Sequence, residues 1–277
     1  MSKNTRWLAG LALLLALVGC GGGGGGSSSG GGGGVDTPPP VLPQGIWRGS
    51  NDDGTLAVMV LPESSGGTVW AVGRGVATTS TNPTTTATIT SLYQASLSVS
   101  GQSFAGTGTA LAVTGTAVPT STPGLTVTVA AGSPAGQTIL FALNGEVGAL
   151  TYGSHYDTPA SLTAAPGSTL WAGTWSSAQS VQGLGSLVTQ WTVATNGSFT
   201  GSGTGGCTYT GTVLPRPEGK ALVNVTLTET CGGSVFGFTG VGAPGVDGEG
   251  NVIGRLVVLR RDDGQSFSVM QWSASGV

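Results

Sequence analysis

Ala221-Leu222-Val223-Asn224-Val225-Thr226-Leu227-Thr228-Glu229-Thr230 is the stretch that decides the fold class. From Val223 to Leu227 every second residue is a branched aliphatic, and the residues between are Asn and Thr. A period of two puts successive side chains on opposite faces of an extended strand, one apolar and one wet. A partner strand is predicted at 208–214, joined to 221–230 through a turn at 215–220. Further strands are predicted at 170–175, 186–194, 198–204, 234–240, 252–261 and 266–272. Leu187, Thr189, Trp191 and Val193 form a mostly apolar face, while Asn196-Gly197 and Asp262-Asp263-Gly264 are turn signals. From Gly45 onward, short Thr/Val/Leu runs are broken by Gly, Pro, Asn or Asp every 8–12 residues. That spacing predicts an all-β protein. Consecutive short strands with short turns predict antiparallel up-and-down barrels, whose closure removes exposed edges. The only helix candidate is one turn at 157–162, with Asp157 or Thr158 as cap and Pro159 at the first helical position.

Composition agrees and excludes much else. The chain of 277 residues has 52 Gly, 8% charged residues and 6% aromatics, against about 7% Gly and 25% charge in an ordinary domain. With 9 Lys+Arg, 12 Asp+Glu and net charge −3, no nucleic-acid-binding surface can be assembled. One His and three Cys leave little for a metal site or general-base catalysis. A hydrophobic share of 38% argues against disorder. Thr on outward strand faces replaces charge, because it favours strands and hydrates without ionising. Glycine acts as a small inward position: Phe199, Gly201 and Gly203 share one strand face, and a small barrel has room for few large side chains. The same pattern occurs at Phe104, Gly106 and Gly108, 95 residues earlier, and Gly115-Thr116 precedes Gly211-Thr212 by 96. Gly45-Ile46-Trp47 and Gly173-Thr174-Trp175 each open a half, which suggests duplication. The intervals disagree, and the hairpin of 56–61 and 68–72 looks more like the last hairpin at 255–260 and 266–272. The halves are therefore expected to differ in strand order or to share a sheet.

The first residues read as an address. Lys3 and Arg6 precede an apolar run from Trp7 to Val18, 12 residues long and too short to span a bilayer. It fits the core of an export signal. The run ends in Leu17-Val18-Gly19-Cys20, and 21–34 contains only Gly and Ser. That is a flexible coil of roughly 20 Å r.m.s. span, followed by a stiffer stretch around Pro38-Pro39-Pro40 and Pro43.

Small residues ahead of a Cys, directly after such a run, resemble the bacterial lipobox. That resemblance implies acylation of Cys20 and a membrane anchor, since two acyl chains hold where one does not. Gly21 stands where an Asp would retain a similar lipoprotein in the inner membrane, which implies the outer membrane, facing either the cell surface or the periplasm. G-x-W at the start of a barrel resembles the calycins, the lipocalins and avidins, in which the Trp closes one barrel end. Gly45, Trp47, Gly173 and Trp175 are the barrel-start residues on that resemblance. Thr151-Tyr152 followed by Tyr156-Asp157, Pro159-Ala160-Ser161-Leu162 and then Gly173-Thr174-Trp175 is similar to a recurring segment in uncharacterised proteobacterial surface lipoproteins. The expected organisation is a signal peptide at 1–19, lipidated Cys20 and tether at 20–44, a first calycin-like barrel at 45–157, a linker with a helical turn at 158–170, and a second barrel at 171–277.

Few residues suggest chemistry. Opposed residues of the hairpin 208–214/221–230 sum to about 436, and Cys207 with Cys231 sums to 438. The two should meet at its open end as a disulfide of an oxidising compartment, worth about 3–4 kcal/mol on the loop-entropy estimate. His155 stands beside Ser154 and Asp157, but sequence neighbours do not face one another as a triad, and no G-x-S-x-G elbow exists. Asp247-Gly248-Glu249-Gly250-Asn251 lacks the bidentate Glu of a calcium loop, since Val258 stands at that position. Asp52-Asp53-Gly54 and Asn196-Gly197-Ser198 read as turns. Arg216, Lys220, Arg255, Arg260 and Arg261 give the second half a mildly basic side. The expected function is non-enzymatic: an outer-membrane lipoprotein that binds a protein or polysaccharide partner, with no cofactor, metal or nucleic acid. The alternatives are a lipocalin-like carrier of a small apolar ligand and a barrel-type enzyme inhibitor.

Overall fold

A computed structural model describes residues 39–51, 54–77, 86–112, 121–130, 138–143, 146–157, 160, 171–177, 179–181, 189–203, 205–246, 252–263 and 267–273. The expected signal segment 1–19, Cys20, the expected tether to residue 38, most of the expected linker 158–170, and residues 52–53, 115–116 and 247–251 lie outside them. Among the described residues every regular element is a strand, apart from one 3-10 turn at Ser154–Asp157.

The first eight strands are β1 (Gly45–Asn51), β2 (Gly54–Glu63), β3 (Gly66–Ala77), β4 (Thr86–Ser100), β5 (Ser103–Ala112), β6 (Ser121–Ala130), β7 (Thr138–Leu143) and β8 (Glu146–Tyr152). They form a closed antiparallel barrel in sequence order. Closure is made by β1 against β8, with Trp47 opposite Tyr152 and Arg48 opposite Thr151. The remaining strands are β9 (Gly173–Ser177), β10 (Gln179–Val181), β11 (Thr189–Val193), β12 (Ser198–Gly203), β13 (Thr208–Pro215), β14 (Val223–Cys231), β15 (Ser234–Val246), β16 (Val252–Arg261) and β17 (Phe267–Ser273). Their sheet runs β10-β17-β16-β15-β14-β13-β12-β11-β9. Its two terminal strands are β9 and β10, separated in sequence by residue 178 alone. The covalent chain thus joins the sheet's edges: β9 pairs with β11 and β10 with β17. Both halves are simple meanders in separate sheets, so the expectation of a different strand order or a shared sheet does not hold. Hairpin-linked neighbours pair first because their loops are the shortest to close.

Three apolar cores hold this together. Inside the first barrel, Trp47, Val58, Val60, Val69, Ala71, Leu97, Phe104, Val127 and Phe141 are buried. Inside the second, Trp171, Trp175, Trp191, Phe199, Tyr209, Val225, Leu227, Phe238 and Leu259 are buried. The third core lies between the barrels: Ile46, Met59, Leu61, Trp70, Val72 and Leu92 of β1–β4 pack with Leu222, Val241, Ala243, Leu256 and Val258. This explains the likeness of the two hairpins at 56–61 and 255–260. Strands buried on both faces read as continuous apolar runs rather than alternating ones. In β2, Val58 and Val60 point into the barrel while Met59 and Leu61 meet the other barrel; in β16, Val257 and Leu259 point inward while Leu256 and Val258 face out. Residues 40–277 accordingly form one compact unit.

Several boundaries differ from expectation. Leu42 and Pro43, assigned to the tether on composition, belong to the first barrel: Leu42 packs on its core, and the Pro43 carbonyl accepts the Trp47 indole N–H at 2.8 Å. Asp157 closes a 3-10 turn at Ser154–Asp157; of the helical turn expected at 157–162, residues 158–159 and 161–162 lie outside the described residues. The repeated Phe-x-Gly-x-Gly does not mark equivalent strands. Phe104 lies on the fifth strand of its barrel, and Phe199 on the third of its own when β9 and β10 are counted as one. The two copies solve one local packing problem rather than recording a register of duplication.

Candidate functional site

The residues singled out by sequence fall into three places: the barrel starts, the junction between barrels, and the disulfide end of the second barrel. At the barrel starts, Gly45 has φ +154° and Gly173 has φ +115°, a region that L residues with a Cβ rarely adopt. A Cβ on Gly45 would also lie 2.7 Å from the Tyr152 ring. Each glycine bends the chain so that the next but one residue, Trp47 or Trp175, turns fully inward. Trp47 meets Tyr152 edge-on at 5.2 Å. Trp175 stands in a line of aromatics: Trp171 at 5.7 Å, Trp191 at 6.0 Å, and Phe199 stacked on Trp191 at 4.2 Å. Arg255 covers Trp175, its guanidinium 4.6 Å from the ring, and burial lowers its pKa to about 10. The glycines predicted to make room do so. A Cβ on Gly201 would lie 2.6 Å from Trp191, and one on Gly203 2.8 Å from the Tyr209 hydroxyl.

The Tyr152–Ala160 segment forms the junction. Tyr156 is buried in the inter-barrel core, its carbonyl accepts the Ala221 N–H at 3.0 Å, and Ala160 N–H donates to Lys220 O at 3.1 Å. Asp157 takes the Lys220 ammonium at 2.9 Å and the Tyr152 hydroxyl at 3.1 Å. The Lys220 hydrogen bond chiefly holds its carboxyl below the usual range. His155 is half-buried, and its Nε2 has no hydrogen-bond partner. Burial first, and the nearby Arg48 charge second, lower its pKa to about 4. Ser154 is exposed. The carboxylate that a triad would aim at the imidazole is engaged by Lys220 and Tyr152. Ser161 lies outside the described residues.

The basic side expected of the second half is dispersed among internal contacts. Arg216 is buried and binds Glu218 at 2.9 Å, Asn224 at 2.8 Å, and the Pro62 carbonyl of the first barrel at 2.8 Å. It also reaches Glu63 at 3.4 Å. Arg260 donates to Gln94 of the first barrel at 2.7 Å. Arg261 pairs with Asp263 at 2.7 Å over the Phe236 ring.

At the far end, Cys207 and Cys231 form a disulfide. The observed register sets Thr208 opposite Thr230, so the cysteines continue the ladder by one step. The disulfide ties two glycine turns, 205–206 and 232–233, all four with positive φ. Just inside it sits a residue that the sequence reading passed over. Glu229 has the same parity as Val223, Val225 and Leu227, and that alternation was the available signal. It is 4% exposed, opposite Tyr209 on one side and Phe236 on the other. Burial raises its pKa, opposed by a Tyr209 hydrogen bond and the Arg261 charge. Asn196-Gly197 is a turn, with the Asn196 side-chain oxygen accepting the Ser198 N–H at 3.0 Å and hydroxyl at 2.8 Å.

The outer face of the second barrel carries the remaining pattern. Thr174, Thr192, Thr200, Thr210 and Thr228 stand opposite one another in a row across five strands, all exposed. Beside it, Thr212 and Thr226 share a hydroxyl hydrogen bond at 2.8 Å. Among the described residues of β9 and β11–β14 the only ionisable carboxylate or base is Glu229, which points inward. The signal was present in the T-x-T-x-T runs at 208–212 and 226–230. Set against protein-family models, curated proteins and solved structures, the chain matches none of them.

Proposed function

We propose that the protein is an outer-membrane-anchored lipoprotein that holds a two-barrel binding body off the membrane and contacts an envelope protein or polysaccharide through its outer faces. One observation carries this: among the described residues, buried apolar and aromatic side chains pack together in both barrel interiors and in the junction between them. A small-molecule site ordinarily needs an apolar cavity of about 300 Å³ or more, so these packed cores favour outward recognition over the carrier alternative. The uncharged threonine face offers hydroxyls for hydrogen bonding and methyls for contact, which suits a neutral polar partner better than a charged one. Anchoring rests on the resemblance of 17–20 to a lipobox.

Two measurements test the two parts separately. Cys20→Ala should move the protein from the membrane pellet to the soluble fraction and abolish incorporation of labelled fatty acid; persistence of both would overturn the anchor. For the surface, Thr210→Lys with Thr228→Lys should leave the circular dichroism spectrum unchanged and abolish co-sedimentation with isolated envelope fragments. Undiminished co-sedimentation would refute the outer-face reading.

A further inference from the structure

The disulfide end of the second barrel contains one cation within reach of two acids in different environments. Glu229 of β14 is nine-tenths or more buried, and its Oε2 has no hydrogen-bond partner. A buried carboxyl with an unmet oxygen is tolerable while it is protonated and costly once ionised. Among the described residues, the ionisable groups acting on it are Tyr209 from β13 and Arg261 from the end of β16; Asp262 and Asp263 stand in the turn that follows Arg261, and β15 offers Phe236 opposite Glu229 and no ionisable group. Cys207 and Cys231 are bonded to each other and do not titrate. Arg261, its guanidinium 4.9 Å from the ring of Phe236, the cross-strand neighbour of Glu229, makes a two-point contact with Asp263, Nε to Oδ1 at 2.8 Å and a terminal nitrogen to Oδ2 at 2.7 Å. That contact is weakly anchored: Asp263 is about half exposed and Arg261 about a quarter, and exposed ion pairs are worth about 1 kcal/mol or less.

We propose that Arg261 is shared between Asp263 and Glu229, and that the proton on Glu229 decides which of them holds it. With Glu229 protonated, the guanidinium stays on Asp263. When the proton leaves to solvent, the buried carboxylate gains far more from the cation than exposed Asp263 does, because attraction grows as the local dielectric falls. Arg261 then swings inward across the Phe236 ring and gives up its contact with Asp263. The end of the barrel would therefore gain one negative charge above the Glu229 midpoint, while its one cation moves from the exposed turn to the buried strand, a pH-dependent change in the charge presented to a partner. No covalent bond changes, and one proton is exchanged with water.

Carboxyl-carbon NMR on the purified full chain, labelled with carbon-13, tests this. Asp263 should show a second titration step at the Glu229 midpoint, and Glu229→Gln should abolish that step. Asp263→Asn, at an exposed position that leaves the fold alone, should lower the Glu229 midpoint by about one pH unit or more, the usual effect of a close opposite charge. Asp262→Asn removes the same charge next door without freeing Arg261, and should leave the midpoint in place. A single-step Asp263 in the wild type, or a Glu229 midpoint indifferent to Asp263→Asn, would overturn the proposal. Equal shifts from Asp262→Asn and Asp263→Asn would do so too, by reducing the effect to general field.

Discussion

His155 couples folding to pH at a single atom. In the folded chain its pKa is lowered to about 4 by burial and by Arg48, while in the unfolded chain it returns to about 6.5. Between those values the unfolded state binds the extra proton, so stability rises with pH there. The histidine's contribution is complete above about pH 6.5 and is lost as pH falls towards 4. Thermal melts of the wild type and His155→Gln should therefore show a melting-temperature difference that narrows or reverses as pH drops through that window; a constant difference from pH 7 to 4 would refute it. This effect was not legible in the sequence. Gly153, whose Cβ would lie 2.6 Å from the imidazole, and Arg48 close around the ring only when β1 and the 3-10 turn meet. The glycine–tryptophan starts were legible, because positive φ and a large inward indole impose residue types at fixed spacing.

At the scale of elements, the disulfide hairpin is the part whose tertiary contact could be reckoned from local rules. Strand alternation and turn length set the register, and register set the opposition of Cys207 and Cys231. The observed sum of opposed residues is 438, two more than the reckoned 436. The difference lies in the turn, which the Arg216 N–H closes on the Leu222 carbonyl at 3.3 Å, one step beyond the pair Pro215 and Val223. Replacing both cysteines with Ser should lower unfolding free energy in urea by about 3 kcal/mol, since the bond closes a loop with a sequence separation of 24. The loss should appear in the midpoint, with the fold kept at low denaturant; an unchanged midpoint would mean that the ladder alone holds that end. Glu229 marks the limit of such reasoning. Its parity shows that it points inward, but parity does not reveal what surrounds it.

At the scale of the whole molecule, the third core makes two barrels into one unit. Val258 is fully buried in it. Val258→Asp would place an unpaired charge between the barrels, at a cost of upwards of about 3 kcal/mol. Because the residue points out of its own barrel, calorimetry should show the single transition of the wild type split into two, each barrel unfolding by itself. One transition at the wild-type temperature would show that the barrels are not coupled through this face. The amino-acid sequence by itself determined the all-β class, the meander, the inward glycines and the cysteine pair, since each follows from contacts between residues near in the chain or one hairpin apart. Only the tertiary structure decided that the apolar runs at 56–61 and 255–260 face each other across two barrels. It alone decided that five basic side chains are engaged in internal contacts, and that one acid lies buried beside a shared arginine. Those outcomes depend on which outer faces exclude water together, and a hydrophobic face carries no label naming its partner.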